Sequence, residues 1–451
     1  LRSARKLALE VIYQVDREGA YSNIALNKVL EKYQPEKKDR AFITELVYGT
    51  LKRLNTLDWI AGRFVSRPLD SLTPWIRNII RMGIYQIFFM DKVPNSAACN
   101  ESVNLARKFG HQGTVKFVNG VLRNVVRHKD RLKWPDKDAE PVEYLSIHYS
   151  HPTWMVSLWL EEFGFEETEK LCRANNETPP NSIRTNTLKI SRDELIGVLA
   201  GEGVECRKGE FAPETINISG FKSIASLKSH AQGLYLVQDE SSTMVGHIVA
   251  PKPGSKVIDA CSAPGGKTTH LAQLMNNQGR ILAGDIHQHK MGLIKENCSR
   301  LGINIIEPAL VDARELHKEY KEWADFVLVD APCSGLGVLR RRPELRWRKT
   351  VNRFNELTAL QMAILRSAAQ CVKAGGVLVY STCTVNRREN LDLVRSFLEN
   401  APEFRLDSLL PLFPDTCDRT KFPTAAEGYI QFLPHVHGTD GFFAARMVKE
   451  G

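Results

Sequence analysis

From Gly233 onward the chain alternates short apolar runs with segments of helical period, and this alternation constrains the fold more than any other feature. KVIDACS (256–262), GRILAGDIH (279–287), INIIEPALVDAR (303–314), ADFVLVDAPC (324–333) and GVLVYSTC (376–383) read as successive strands, each entering a loop. Between them lie segments such as KTTHLAQLM and TALQMAILRSAAQCVK, whose apolar residues recur at helical spacing. Strands separated by helices pack as a parallel sheet covered on both faces. Such strands are near-continuously apolar, as VLVD and VLVY are. YIQFLP (429–434) and GFFAARMV (441–448) read as an antiparallel hairpin at the sheet edge. The spacing predicts a Rossmann-like, doubly wound domain over residues 235–451.

The rest of the chain has a different texture. Leu7, Val11 and Val15 form one apolar stripe, and Phe42, Ile43, Leu46 and Val47 another. Thr73-Pro74 reads as a capped helix start, followed by a face of Ile76, Ile79, Ile80, Ile84 and Ile87. A helix opens at Ser96 and stops at Gly110; a last one is striped by Val115, Val118, Leu122 and Val125, with Arg123 and Arg127 off the stripe. Residues 1–135 therefore read as an all-helical bundle. The charged, proline-bearing stretch ending at 136–143 is a linker. Residues 144–234 read as a small α/β module: strands at 182–189 and 214–221 and a helix at 191–203 capped by Ser191. No chemistry is assigned to it.

Charge is distributed unevenly. Residues 1–135 carry 24 Lys and Arg against 12 Asp and Glu, while the remainder is near neutral. A basic module on a neutral body is the footprint of a polyanion binder, the alternative being a solvated lysine-rich surface. No run approaches the roughly 18 apolar residues of a membrane span, and no signal peptide is visible behind Leu1 and Arg2. The nine cysteines are scattered and never form a CxxC pair, which points away from a disulfide framework or a metal site and toward the cytoplasm.

In an open α/β sheet, ligands bind beyond the carboxyl ends of the strands, where strand order reverses. Cys261, Ser262, Ala263, Pro264, Gly265, Gly266 and Lys267 form the loop after the first strand, where that rule places a cofactor. Asp285 ends the second strand, where a carboxylate accepts both hydroxyls of a ribose, and Asp312 ends the third, placed for an adenine amino group. A phosphate-binding P-loop is excluded because Cys261 stands where its first glycine belongs and Pro264 lacks an N–H. A dinucleotide site is excluded because GxGxxG is absent. A nucleoside cofactor without a phosphate cradle suits S-adenosylmethionine.

Asp330 and Cys333 leave the fourth strand and Cys383 the fifth, so both thiols emerge at one rim facing that loop. Cys99, Cys172, Cys206, Cys298 and Cys371 read as small buried hydrophobes instead. Paired thiols beside a carboxyl suit methylation of carbon 5 of cytosine, which is too weak a nucleophile unaided. A thiolate added to carbon 6 makes carbon 5 reactive, an acid group holds N3, and a base then removes the carbon 5 proton. Spacing alone does not choose which thiol attacks.

Two resemblances bear on the choice. RAFITELVYGTLKRLNTLDW (40–59), IIRMGIYQIFFMDKVPNSAACNESVNLARKFG (79–110) and KFVNGVLRNVVR (116–127) resemble the antitermination-factor helical domain, which in that family binds RNA. CSAPGGKTT, the aspartates, DAPCSGLGVLRRRPELRW and YSTC, across 261–383, resemble the RNA cytosine-5 methyltransferase family. That resemblance implies Cys383 as nucleophile, Cys333 in product release, Asp330 holding the cytosine, and the cofactor on 261–267, Asp285, Asp312 and Asp330. With the helical domain included, it implies small-subunit ribosomal RNA as partner; the sequence leaves the oligomeric state open, with a monomer the expectation. Arg340, Arg341, Arg342 and Trp347 read as an exposed loop able to hold phosphate and stack a base, the alternative being a solvated helix cap. A non-catalytic assembly factor on the same fold predicts decay of Cys383, Cys333 or the aspartates, and all are intact.

Overall fold

The computed structural model describes residues 3–351, 353–415 and 417–451. The chain forms two compact units. One holds the residues up to Thr178 together with a returning segment, Leu339–Lys349; the other holds Pro179–Val338 and Thr350–Gly451.

In the first unit, helices including Ala4–Arg17, Lys37–Lys52, Pro74–Phe89, Asn95–Phe109 and Gln112–His128 pack around one core. The apolar stripes turn inward as their period requires: Ile76, Ile79, Ile80, Ile84 and Ile87 are buried, as are Val115, Val118, Leu122 and Val125. Arg123 and Arg127 face solvent. Pro74 does start its helix, but the Thr73 hydroxyl makes no capping hydrogen bond. Arg81, set between Ile80 and Met82 on this helix, is buried and forked onto Asp58 at 2.7 and 2.6 Å.

Helices Pro141–His148 and Thr153–Ala174 belong to this unit as well. The first part of the stretch read as the α/β module, 144–234, is thus helical, with Met155, Val156 and Trp159 buried at helical period. Asn55 Nδ2 bonds Ser146 Oγ at 2.9 Å, and Arg53 Nη1 donates to His148 O at 2.7 Å.

The second unit contains two sheets. Strands β1 (Asn181–Thr185), β2 (Glu205–Lys208), β3 (Thr215–Ser219) and β4 (Tyr235–Val237) pair antiparallel in the order β2-β3-β1-β4. The helix Arg192–Gly201 lies among them, capped by Ser191 with Glu194 returning the bond.

The larger sheet comprises β5 (Lys256–Asp259), β6 (Arg280–Asp285), β7 (Ile306–Leu310), β8 (Ala324–Asp330), β9 (Val372–Thr382), β10 (Phe404–Leu406), β11 (Tyr429–Phe432) and β12 (Phe442–Lys449). Its order is β10-β12-β9-β8-β5-β6-β7, with β11 also on β12. Pairing from β5 to β9 is parallel. Helices cover both faces, Glu240–Val249 and Gln288–Leu301 on one, Arg353–Gln370 and Leu391–Glu399 on the other. The β11–β12 hairpin forms and β11 lies at the sheet edge, pairing only β12 among the described strands, while β12 also pairs β9 and β10. Its one charged interior residue, Arg446, is matched by Asp407 and by the carbonyls of Ile248 and Val249.

Candidate active site

Strand order reverses between β5 and β8, and the loop 260–265 opens there. Gly265 adopts φ +96°, a left-handed conformation that favours glycine, and turns the chain into helix Gly266–Leu274. Ser262 fastens the loop to β6 through N–H and Oγ bonds to Gly284 O, at 2.8 and 3.0 Å. Beneath it lies Arg184 of β1, fully buried, which donates to Gly266 O (2.6 Å), Thr269 Oγ1 (2.9 Å) and Gln273 Oε1 (3.0 Å), and also bonds Gln238. Burial pushes this guanidinium down to about 9. The middle module thus holds the first turn of the cofactor helix, a role its sequence did not signal.

The residues fit a nucleoside cofactor. A side-chain carbon added at Gly266 would meet nothing closer than 3.6 Å, so the backbone stands open. Asp285 is buried at the end of β6; its Oδ1 accepts from His287 N at 2.9 Å and lies 3.8 Å from Lys290 Nζ, while Oδ2 has no partner among the described residues. Asp312 is already engaged by the Arg314 guanidinium, at 3.0 and 2.5 Å, so adenine recognition there needs that pair to open or to be shared.

The reactive rim lies one strand over. Asp330 ends β8 opposite Ser381 of β9, accepting from Lys267 Nζ at 2.7 Å and Ser381 Oγ at 3.0 Å. Cys333 Sγ and Cys383 Sγ are 3.4 Å apart. Gly337 N donates to Cys383 O at 3.0 Å, and an added carbon at Gly337 would lie 1.8 Å from Gly441 O, so glycine is required for that close approach. The hydrogen bond to Cys383, burial and the neighbouring charge of Glu389 push the Cys333 thiol well above its ordinary value. Asp259 beneath the loop is fully buried, with Thr268 Oγ1 on one oxygen at 2.6 Å and the other unpartnered, and burial pushes its carboxyl up to about 7.

The arginine segment is not an exposed loop. Leu339–Lys349 is folded into the helical unit, where Glu344 accepts from Ser22 and Trp347 Nε1 donates to Leu51 O at 3.0 Å. Arg340 is buried, Arg341 half-buried, and Arg342, the exposed one, stands 5.2 Å over the Tyr21 ring. Of the cysteines read as packing residues, Cys99, Cys172, Cys298 and Cys371 are buried; Cys206, in β2, is partly open. Glu214, His247 and His270 gather with their ligand atoms within 4.8 Å. Buried His270 Nδ1 has no hydrogen-bond partner among the described residues. No described helix is long and apolar enough to cross a membrane.

A largely parallel sheet with a glycine loop at its switch point, beside two thiols 3.4 Å apart, suits an S-adenosylmethionine-dependent methyltransferase. Residues 246–448 match the family model described as 16S rRNA methyltransferase RsmB/F, residues 151–225 the RsmF/B-like ferredoxin-like domain, and residues 2–127 the NusB family. The chain is 40% identical over its whole length to the probable ribosomal RNA small subunit methyltransferase B of Bacillus subtilis, covering 99% of that protein. It is 32% identical to the ribosomal RNA small subunit methyltransferase B of Pectobacterium carotovorum, over 99% of this chain and 98% of that one. The crystal structure of PH0851 superposes with a TM-score of 0.84 at 32% identity, over 98% of both chains. NSun6 from Pyrococcus horikoshii, solved with the S-adenosylmethionine analogue SFG, gives 0.59 at 26% identity, over 66% of this chain and 98% of that one. The chain belongs to the RsmB/F family of 16S rRNA methyltransferases. S-adenosylmethionine is its methyl donor.

Proposed function

We propose that this enzyme methylates carbon 5 of a cytosine in small-subunit ribosomal RNA through a covalent bond between Cys383 and the base. The observation that carries the reading is the pair of sulfurs 3.4 Å apart, at the carboxyl ends of adjacent parallel strands and beside Asp330. The relatives' names supply the ribosomal substrate, and the net positive charge of residues 1–135 suits a polyanion.

S-adenosylmethionine supplies an electrophilic methyl group on its sulfonium. Cofactor contacts fall to the 261–267 loop, with Asp285 on the ribose, Asp312 toward the adenine and Asp330 at the rim. Cys383 adds to carbon 6 of the cytosine while the Asp330 carboxyl holds N3. Cys383 attacks as the thiolate, its proton having passed to solvent. After methyl transfer Cys333, its own proton likewise released, takes the carbon 5 proton, the C–H electrons restore the ring double bond, and Cys383 leaves as thiolate. The base must be unpaired or turned out of its stack to reach this rim. Arg341 and Arg342 retain enough exposure to meet RNA, whereas Arg340 and Trp347 serve the helical unit first.

The test is a denaturing gel after incubation with substrate RNA and labelled S-adenosylmethionine. Cys383→Ala should give neither methylation nor a retarded band, and Cys333→Ala should accumulate a labelled protein–RNA band. A band with Cys383→Ala alone reverses the roles; full activity in both variants refutes thiol catalysis.

A further inference from the structure

Glu389 follows β9 by a short turn and is fully buried. Four donors converge on its carboxylate: Ser334 N–H (2.8 Å) and Gln361 Nε2 (3.0 Å) on Oε2, Ser334 Oγ and Asn386 Nδ2 (2.9 Å) on Oε1. Gln361 also holds Pro332 O at 2.9 Å, so both neighbours of Cys333 are tied to this cluster. The flanks of Cys383 are tied to it as well. Thr384 Oγ1 lies 2.8 Å from Ser334 Oγ, and Tyr380 OH donates to Glu389 O at 2.7 Å. Asn390, the next residue, accepts from Thr382 Oγ1 at 2.6 Å and donates to Thr384 O at 3.0 Å.

We infer that Glu389 is a positioning residue that fixes the gap between the two thiols, so that one thiol faces carbon 6 of a bound cytosine while the other faces carbon 5. The inference rests on the cysteine chemistry proposed above. Every neighbour of the carboxylate is a donor, so only an acceptor-only group satisfies all of them at once. An apolar residue would fill the volume but leave the Ser334 N–H and the amides of Gln361 and Asn386 buried without acceptors, freeing the Cys333 loop. Glutamine at this place turns one oxygen into a donor that faces donors.

The experiment uses the full-length enzyme with Glu389→Gln and, as a milder lesion, Ser334→Ala. Thiol spacing is read in buffers of oxidised and reduced glutathione. Two protein thiols become one disulfide as one oxidised glutathione becomes two reduced ones, and peptide mass mapping quantifies the Cys333–Cys383 link. In Glu389→Gln the effective concentration of one thiol at the other should fall at least tenfold and kcat at least tenfold. Affinity for S-adenosylhomocysteine, whose contacts lie elsewhere, should stay within twofold. Ser334→Ala should move the first two quantities two- to fivefold in the same direction. A Glu389→Gln enzyme that binds S-adenosylhomocysteine yet pairs its thiols like wild type overturns the inference. Should that variant not fold, wild-type pairing in Ser334→Ala overturns it instead. Weakened pairing with kcat retained would uphold the positioning role and count against thiol catalysis itself.

Discussion

Arg346 offers the sharpest test of how the helical unit is built. Its guanidinium is fully buried, donating through Nη1 to Lys52 O (3.1 Å), Ser150 O (3.0 Å) and Asn176 Oδ1 (2.8 Å), and through Nη2 to Asn175 O (2.6 Å). Arg346→Met removes all four bonds. Orphaned buried acceptors cost about 2 kcal/mol each, roughly 8 kcal/mol together. The charge is itself expensive to bury, since burial pushes it down to about 9, and relief of that cost returns on the order of 5 kcal/mol. The balance is a loss of about 3 kcal/mol, or roughly 6–12 °C in the melting point of a unit this size. Differential scanning calorimetry of the full chain measures it, following the transition that S-adenosylhomocysteine does not shift. Arg342→Met is the control: exposed over Tyr21, it should cost at most about 1 kcal/mol. Wild-type melting in Arg346→Met, or an equal loss in Arg342→Met, refutes the reasoning and returns the segment to the surface.

Other consequences are checked more briefly. Asp285→Ala should weaken S-adenosylhomocysteine binding at least tenfold without changing the circular dichroism spectrum, and unchanged affinity contradicts the ribose assignment; the wild type should ignore ATP, and tight ATP binding in calorimetry contradicts the absence of a phosphate cradle. Arg184→Met, by loosening Gly266 and Thr269, should also weaken cofactor binding, and unchanged affinity would reduce Arg184 to a packing residue. Asp259, pushed up to about 7, holds a proton in the folded state that the unfolded chain releases near pH 4. Its contribution is fully present below about pH 4 and is lost as pH rises to about 7, at most on the order of 4 kcal/mol. Urea melts of wild type should therefore lose ground to Asp259→Asn across that window, and parallel curves refute the shift. Neutralising the exposed Arg123 and Arg127 should flatten the salt dependence of RNA binding by roughly 0.9 or less in log K for each phosphate no longer neutralised; an identical slope makes them solvated charges.

What was legible in the sequence is what depends on neighbours in the chain. The apolar runs of β5, β6, β8 and β9 end in Asp259, Asp285, Asp330 and Cys383, so strand and chemistry were read together. The isoleucine face of Pro74–Phe89 repeats with the helix. What escaped depends on partners far away. β2 and β4 are too short to carry a period, and the three-residue β10 that joins β12 shows no pattern of its own. Arg340 and Trp347 read as surface although they are folded into the helical unit; the acceptor of Trp347 sits at residue 51, and those of Arg346 in the same segment at 52, 150 and 175–176. Glu389 lies in a run of charged residues, and its four donors come from three separate stretches of chain.

The returning segment also bears on how the protein is made. Synthesis runs from Ser22 toward Gly451, yet Ser22, Leu51 and the carbonyls of Lys52, Ser150 and Asn175 find Glu344, Trp347 and Arg346 only after residue 349 has left the ribosome. The first unit to be translated is thus completed only after strands β5 to β8 of the second already exist. A nascent chain halted at Thr178 would expose unmet acceptors, and a fragment begun at Pro179 would carry Arg346 with nothing to receive it. No single cut in the chain separates the two units, and the first cannot be completed before residue 349 has been made.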